Sequence, residues 1–270
     1  MGKLSDKDIN AQIIEQAINF GASVAGIANV EALKKSPSHV VFGKLDRYNV
    51  AGMKDSGNAA PGQITWPDNA GSAVVVGVEH PEAKPELDWW QDGFRGGTRG
   101  NSILIDINSR LSVWLAKEKG YKTHKLPYYI ENGGIFLKDA AAMAGLGCIG
   151  KNNLFVNPDL GPKVRLRAIL LNAALPSTGA MEFNPCKGCD MPCWTACPQA
   201  AFHKRIYRKV ELGLDELPGR SGVYNRRLCN HQMEMDISNC EKIEVKEHER
   251  LEKLIKYCRL CEFKCPVGKV

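Results

Sequence analysis

Cys186-Lys187-Gly188-Cys189-Asp190-Met191-Pro192-Cys193-Trp194-Thr195-Ala196-Cys197-Pro198 sets four cysteines at gaps of two, three and three residues and closes on proline. Near the C-terminus, Cys258-Arg259-Leu260-Cys261-Glu262-Phe263-Lys264-Cys265-Pro266 repeats the end of that pattern. Nine of the 10 cysteines lie beyond Ser177, in a stretch with few long apolar patterns. The start, Met1-Gly2-Lys3-Leu4-Ser5-Asp6-Lys7-Asp8, has neither an apolar secretion core nor a twin-arginine leader, so the expected compartment is the cytoplasm. Reducing conditions there argue against a disulfide framework and for thiolates that hold metal.

The spacing points to iron rather than zinc. Bacterial ferredoxin-type runs have gaps of two, two and three residues with proline after the last cysteine, and two such runs exchange their last ligands between two [4Fe-4S] clusters. On that logic one cluster takes Cys186, Cys189, Cys193 and Cys265. The other takes Cys197, Cys258, Cys261 and one further thiolate, Cys229 or Cys240, with Cys229 preferred. Zinc would need paired Cys-x2-Cys units, which the Cys-x3-Cys-Pro endings are not.

Working outward, the 270 residues are 44% hydrophobic and 24% charged, an ordinary globular balance that excludes a disordered chain. No apolar run approaches a membrane span; the longest is of the kind Ala73-Val74-Val75-Val76-Gly77-Val78. The formal charge of +6 would fall to about +2 with two clusters of roughly −2 each, thiolates included. The run His203-Lys204-Arg205-Ile206-Tyr207-Arg208, with Arg226 and Arg227, is then a solvated face, a surface for an acidic redox partner, or an RNA contact.

Before the cysteines the chain alternates helix and strand, which predicts an α/β domain over residues 1–180, with a ferredoxin-like two-cluster domain over 181–270. Ser5 and Asp8 form a capping box ahead of Ile9, Ile13, Ile14, Ala17 and Ile18 at helical spacing, and Gly21 stops that helix. Strands are predicted at 22–28, 72–78, 123–130, 153–157 and 164–171, and helices at 103–119 and 135–144. Residues 36–70 and 81–100 read as surface excursions, the second carrying Trp89, Trp90 and Phe94.

Ala144-Gly145-Leu146-Gly147-Cys148-Ile149-Gly150-Lys151-Asn152-Asn153 contains Gly-x-Gly-x-x-Gly. A dinucleotide fingerprint follows a strand and opens a helix, whereas these glycines end a helix and lead into an extended run. They serve either as a cap and tight turn or as a place where backbone approaches a bulky cofactor.

Lys138-Asp-Ala-Ala-Ala-Met-Ala-Gly-Leu-Gly-Cys-Ile-Gly-Lys-Asn-Asn-Leu-Phe-Val-Asn-Pro-Asp-Leu-Gly-Pro, followed by the two Cys-Pro runs, resembles the epoxyqueuosine reductase family, which is related to reductive dehalogenases. The resemblance implies an oxidoreductase whose two [4Fe-4S] clusters pass electrons to base-off cobalamin, with no histidine as lower ligand. It implies a corrin beside Gly145, Gly147, Cys148, Gly150, Lys151 and Asn152. It also implies an acid fourteen residues before the first loop glycine, and that position is Glu131. The family has Asp in Asp-Thr-x-Pro there, and this chain has Glu131-Asn132-Gly133-Gly134; the family's tryptophan is Cys148 here. Glu131 is read equally as a solvated residue beside a helix cap, and Cys148 as a small buried hydrophobe. The family's helical-repeat domain does not follow the clusters, which weakens tRNA against a small-molecule substrate. A donor such as ferredoxin or flavodoxin is expected, and the competing reading is an electron-transfer or corrinoid-handling protein with no substrate of its own.

Overall fold

The computed structural model describes residues 5–42, 64, 66–127, 130, 133–206, 208, 210, 221–244 and 251–268. The chain opens with α1 (Asp6–Asn19), β1 (Val24–Asn29), α2 (Val30–Lys34), α3 (Pro37–Phe42) and β2 (Ser72–Glu79). There follow β3 (Trp90–Gln91), α4 (Arg99–Lys119), β4 (Thr123–Lys125), α5 (Leu137–Met143), β5 (Cys148–Ile149), β6 (Phe155–Val156) and β7 (Val164–Leu171). The cysteine-rich part contributes α6 (Pro192–Thr195), α7 (Arg226–Ser238), β8 (Glu241–Glu244), β9 (Leu251–Ile255) and α8 (Leu260–Phe263).

Four strands form the central sheet in the order β1-β2-β7-β4, and each neighbouring pair is antiparallel. The architecture is mixed α/β, built on an antiparallel sheet rather than on parallel crossovers. Both faces are covered, so β2 is buried along nearly its whole length and reads as a continuous apolar run instead of an alternating one. Ile13, Ala17, Leu104, Ile107 and Leu111 of α1 and α4 pack on one face, against Val74, Val76 and Ile169. Ala140 and Ala141 of α5 and Ala144 just beyond its end pack on the other with Leu33, against Val75, Ala168 and Leu170.

Local chemistry explains where elements begin and end. Ser5 and Asp8 make the reciprocal capping box that starts α1. Thr98 Oγ1 accepts the Asn101 N–H at 3.0 Å, so α4 begins earlier than its apolar spacing implies, and Ile103 lies on its exposed side. The strand expected over 123–130 ends at Lys125, because Pro127 cannot donate to a ladder. Pro37 opens α3 within the stretch read as irregular. The 81–100 excursion is also tied down: Trp90 and Gln91 pair with Ile255 and Leu254, giving a second sheet in the order β3-β9-β8. No helix among the described residues is long and apolar enough to cross a membrane.

Candidate metal centre and the glycine loop

The glycine loop is a helix stop that becomes a hairpin. Gly145 has φ 73°, and the N–H groups of Gly145 and Leu146 donate to Ala142 O and Ala141 O at 3.1 and 3.0 Å, which caps α5 in a Schellman turn. The remaining α5 carbonyls are taken by hydroxyls: Ser177 Oγ donates to Met143 O at 2.6 Å and Thr178 Oγ1 to Ala144 O at 2.5 Å. Cys148 and Ile149 then pair with Val156 and Phe155, and Gly150 N–H donates to Leu154 O at 2.8 Å. A Cβ at Gly145 would collide with the Gly179 carbonyl, and one at Gly147 with the Val156 carbonyl. Those two glycines therefore answer to the protein's own backbone.

The far end of the loop meets the cysteines. Lys151 N–H donates to Cys186 Sγ at 3.4 Å, the Trp194 indole donates to Lys151 O at 3.1 Å, and Asn152 Nδ2 donates to Cys261 O at 3.4 Å. Cys148 is buried at 4% exposure in the hairpin and Asn152 at 4% beside it.

The thiols fall into two sets by the charges they feel. Burial pushes the Cys193 thiol up to about 11, and Cys265, Cys186 and Cys189 push it further in that direction. Burial likewise takes Cys261 up to about 12, reinforced by Cys229, Cys258 and Cys197. Cys258 is raised by burial first and then by Asp236, Cys229 and Cys197. Cys240 figures in none of these interactions. The short helices α6 and α8, one from each Cys-Pro run, pack against each other. Backbone N–H groups of Met191 and Ala201 donate to Cys189 Sγ and Cys197 Sγ at 3.4 Å each. Among the described residues no three His, Cys, Asp or Glu side chains form a group that would hold a single metal ion. The donor chemistry, two sets of thiols supplied with N–H···S bonds, fits four-iron clusters, whose potentials such bonds tune.

No protein-family model matches the chain. An epoxyqueuosine reductase of Pseudomonas aeruginosa is 35% identical over 74 residues, 27% of this chain and 20% of that protein. One of Lactococcus garvieae is 24% identical over 208 residues, 75% of this chain and 53% of that protein. The structure of epoxyqueuosine reductase from Streptococcus thermophilus superposes with a TM-score of 0.59 at 18% identity, over 97% of this chain and 66% of that one. The chain has the epoxyqueuosine reductase fold. An epoxyqueuosine reductase crystallised with an epoxyqueuosine-modified tRNA-Tyr stem loop gives a TM-score of 0.59 at 17% identity, over 98% and 66% of the two chains. A reductive dehalogenase described for B12-dependent dehalogenation gives 0.60 at 17% identity, over 100% of this chain and 33% of that one. The chain spans about half, or less, of the length of the curated relatives it matches.

Within the epoxyqueuosine reductase fold, two polar clusters that sequence reading did not single out support this site. Asp88 Oδ1 lies 2.9 Å from His80 Nδ1 and 2.8 Å from Arg165 Nε, and its Oδ2 lies 2.6 Å from Arg259 Nη1. Glu262 joins both arginines, 2.8 Å from Arg165 Nη2 and in contact with Arg259 Nη2. Burial pushes the Asp88 carboxyl up, but the His80 hydrogen bond and the two guanidinium groups outweigh it and hold it below its usual range. Arg259 and Glu262 stand between the cysteines of the last run, so the network fastens that run to the ends of β2 and β7.

The second cluster lies before α5. Phe136 N–H donates to His39 Nε2 at 3.3 Å, which leaves the ring proton on Nδ1 to donate to Ser36 Oγ at 2.7 Å. Ser36 in turn donates to Asp139 Oδ2 at 2.6 Å, and Ser38 donates to Asp139 through its N–H and its hydroxyl at 2.9 and 2.6 Å. Burial pushes the His39 pKa down to about 4, the Asp139 carboxylate opposing it. Glu131 lies outside the described residues; its flanking residues are joined by the Gly133 N–H bond to Ile130 O at 3.1 Å. Lys138 is half-buried, and its Nζ donates to Asn153 O at 2.6 Å. Desolvation takes that ammonium down to about 8 with help from Arg226, against Asp139, Cys229 and Cys261.

Proposed function

We propose that the chain is a cobalamin- and iron-sulfur-dependent reductase with Cys186, Cys189, Cys193 and Cys265 holding one [4Fe-4S] cluster and Cys197, Cys229, Cys258 and Cys261 the other. The observation that carries the reading is the pair Lys151-Asn152 hydrogen-bonded to one residue of each cysteine set, to Cys186 Sγ on one side and to the backbone carbonyl of Cys261 on the other. A corrin at that loop would lie beside the source of electrons, and this supports the reading. When bound, the clusters supply single electrons and a base-off cobalamin supplies a strongly reducing metal for an epoxide or a comparably reducible bond.

This chain's own residues do the rest. The Lys151, Met191 and Ala201 N–H groups stabilise thiolate charge at the cluster ligands. Glu131 holds the proton that the reduced substrate takes up, and the hydrogen-bond chain from Asp139 to Phe136 fixes the segment that follows it. The tRNA stem loop bound by a structural relative supports epoxyqueuosine in tRNA as the substrate to test before small molecules. The relative described for B12-dependent dehalogenation supports the corrin. We assign the chain to the cytoplasm and its electrons to a ferredoxin or flavodoxin.

Gly145 and Gly147 are closed against protein backbone, and this favours a second reading, an electron-transfer or corrinoid-handling protein without its own substrate. Anaerobic purification, addition of cobalamin, and visible and electron-resonance spectra before and after reduction decide between them. Stoichiometric base-off cobalamin reduced through the clusters, followed by turnover of epoxyqueuosine-containing tRNA, is the expected result. Two clusters without corrin uptake would leave the second reading standing.

A further inference from the structure

Lys138 is the second residue of α5, where the positive end of the helix disfavours a cation. It nevertheless turns its ammonium inward onto Asn153 O at 2.6 Å. Asn152, the adjacent residue, binds Cys261 O at 3.4 Å. One tight turn thus holds both the lysine ammonium and the backbone of a second-set cysteine. The ammonium is attracted by the Cys229 and Cys261 sulfurs and repelled by Arg226, which stands three residues before Cys229 on α7. The neighbouring Asp139 carboxylate is already engaged by three hydrogen bonds from Ser36 and Ser38. The lysine ammonium is therefore held beside the second thiol set.

We infer that Lys138 is a positioning residue that raises the reduction potential of the cluster held by Cys197, Cys229, Cys258 and Cys261. The inference rests on the two-cluster reading. One-electron reduction adds one negative charge to a site already near −2, and a low-potential one-electron donor is oxidised in the same step. A cation held close by in a medium less polar than water stabilises the reduced form more than the oxidised one. Electron entry at this cluster is thereby eased.

The test is a dithionite titration with redox mediators, followed by electron resonance, on the full chain purified without oxygen. In Lys138→Met, the reduced-to-oxidised ratio of one cluster at a fixed applied potential should fall about tenfold, equivalent to 59 mV for a one-electron couple. The affected signal should be the one that Cys229→Ser perturbs, and Lys138→Arg should restore the ratio to within threefold. Should Lys138→Met fail to fold, Lys138→Gln, which keeps a donor for Asn153 O, is expected to shift the same signal in the same direction. Unshifted potentials in a protein with about eight irons would overturn this inference alone. Fewer than about eight irons in the wild type would overturn the two-cluster reading beneath it, and the inference with it. An equal shift in Lys138→Arg and Lys138→Met would also overturn it, because packing rather than charge would then be responsible.

Discussion

Cys229 and Cys240 are separated by one helix, yet only Cys229 shares charge interactions with Cys197, Cys258 and Cys261. Cys229→Ala should lower iron from about eight to about four per chain and remove one reduced-state resonance signal, while Cys240→Ala should leave both intact. Metal analysis with low-temperature resonance spectra checks this, and the reverse pattern would move the ligand to Cys240. At Glu131, Glu131→Gln should keep cobalamin bound but reduce turnover by about a hundredfold or more, as loss of a general acid does. Turnover at the wild-type rate would reassign the proton. At this scale the sequence was informative for the thiols, because spacing alone encodes which turns they sit on. It was silent on Ser36, His39 and Asp139, since nothing local in Ser36-Pro37-Ser38-His39 tells that a carboxylate 100 residues away will complete the chain of hydrogen bonds.

The element on which most of the site depends is α5, which is short and has no side-chain cap at its start. Its beginning is fixed from outside by His39, and its end by Gly145, Ser177 and Thr178. His39 must be neutral to accept the Phe136 N–H. The unfolded chain binds a proton near pH 6.5, the folded chain only near 4. The unfolded state therefore binds more protons between those values, and stability is full above pH 6.5 and is lost as pH falls towards 4. The loss should be on the order of 3 kcal/mol in denaturant titrations at successive pH values. His39→Gln should flatten that dependence. The helix itself was legible in sequence by periodicity and by the glycines after it, and so was the extended run that follows. The truncation of the strand at Lys125 was not read, although Pro127 marks it.

For the whole molecule, the decisive bond is between the α/β layer and the cysteine-rich part. Asp88, Arg165, Arg259 and Glu262 balance two positive against two negative charges in a largely buried setting. Arg259→Met would leave Asp88 and Glu262 short of a counter-charge and should cost about 3–5 kcal/mol. A thermal or denaturant midpoint checks this, and a change below about 1 kcal/mol would show the two parts to be held by other contacts. Partition of the chain near residue 180 follows composition, whereas the hydrogen bonds that join β3 to β9 cross it. Such long-range pairs are invisible to local patterns, because a two-residue strand carries no periodicity of its own.

The pairing of Trp90 with Ile255 also orders events during biosynthesis. A nascent chain leaves the ribosome from its N-terminus, so the edge offered by residues 90–91 waits for more than 160 further residues before its partner emerges. On the ligand sets proposed above, both clusters wait too, since one needs Cys265 and the other Cys258 and Cys261. On those sets, iron-sulfur loading would be completed only after every strand of the central sheet has been made, since β7 ends at Leu171.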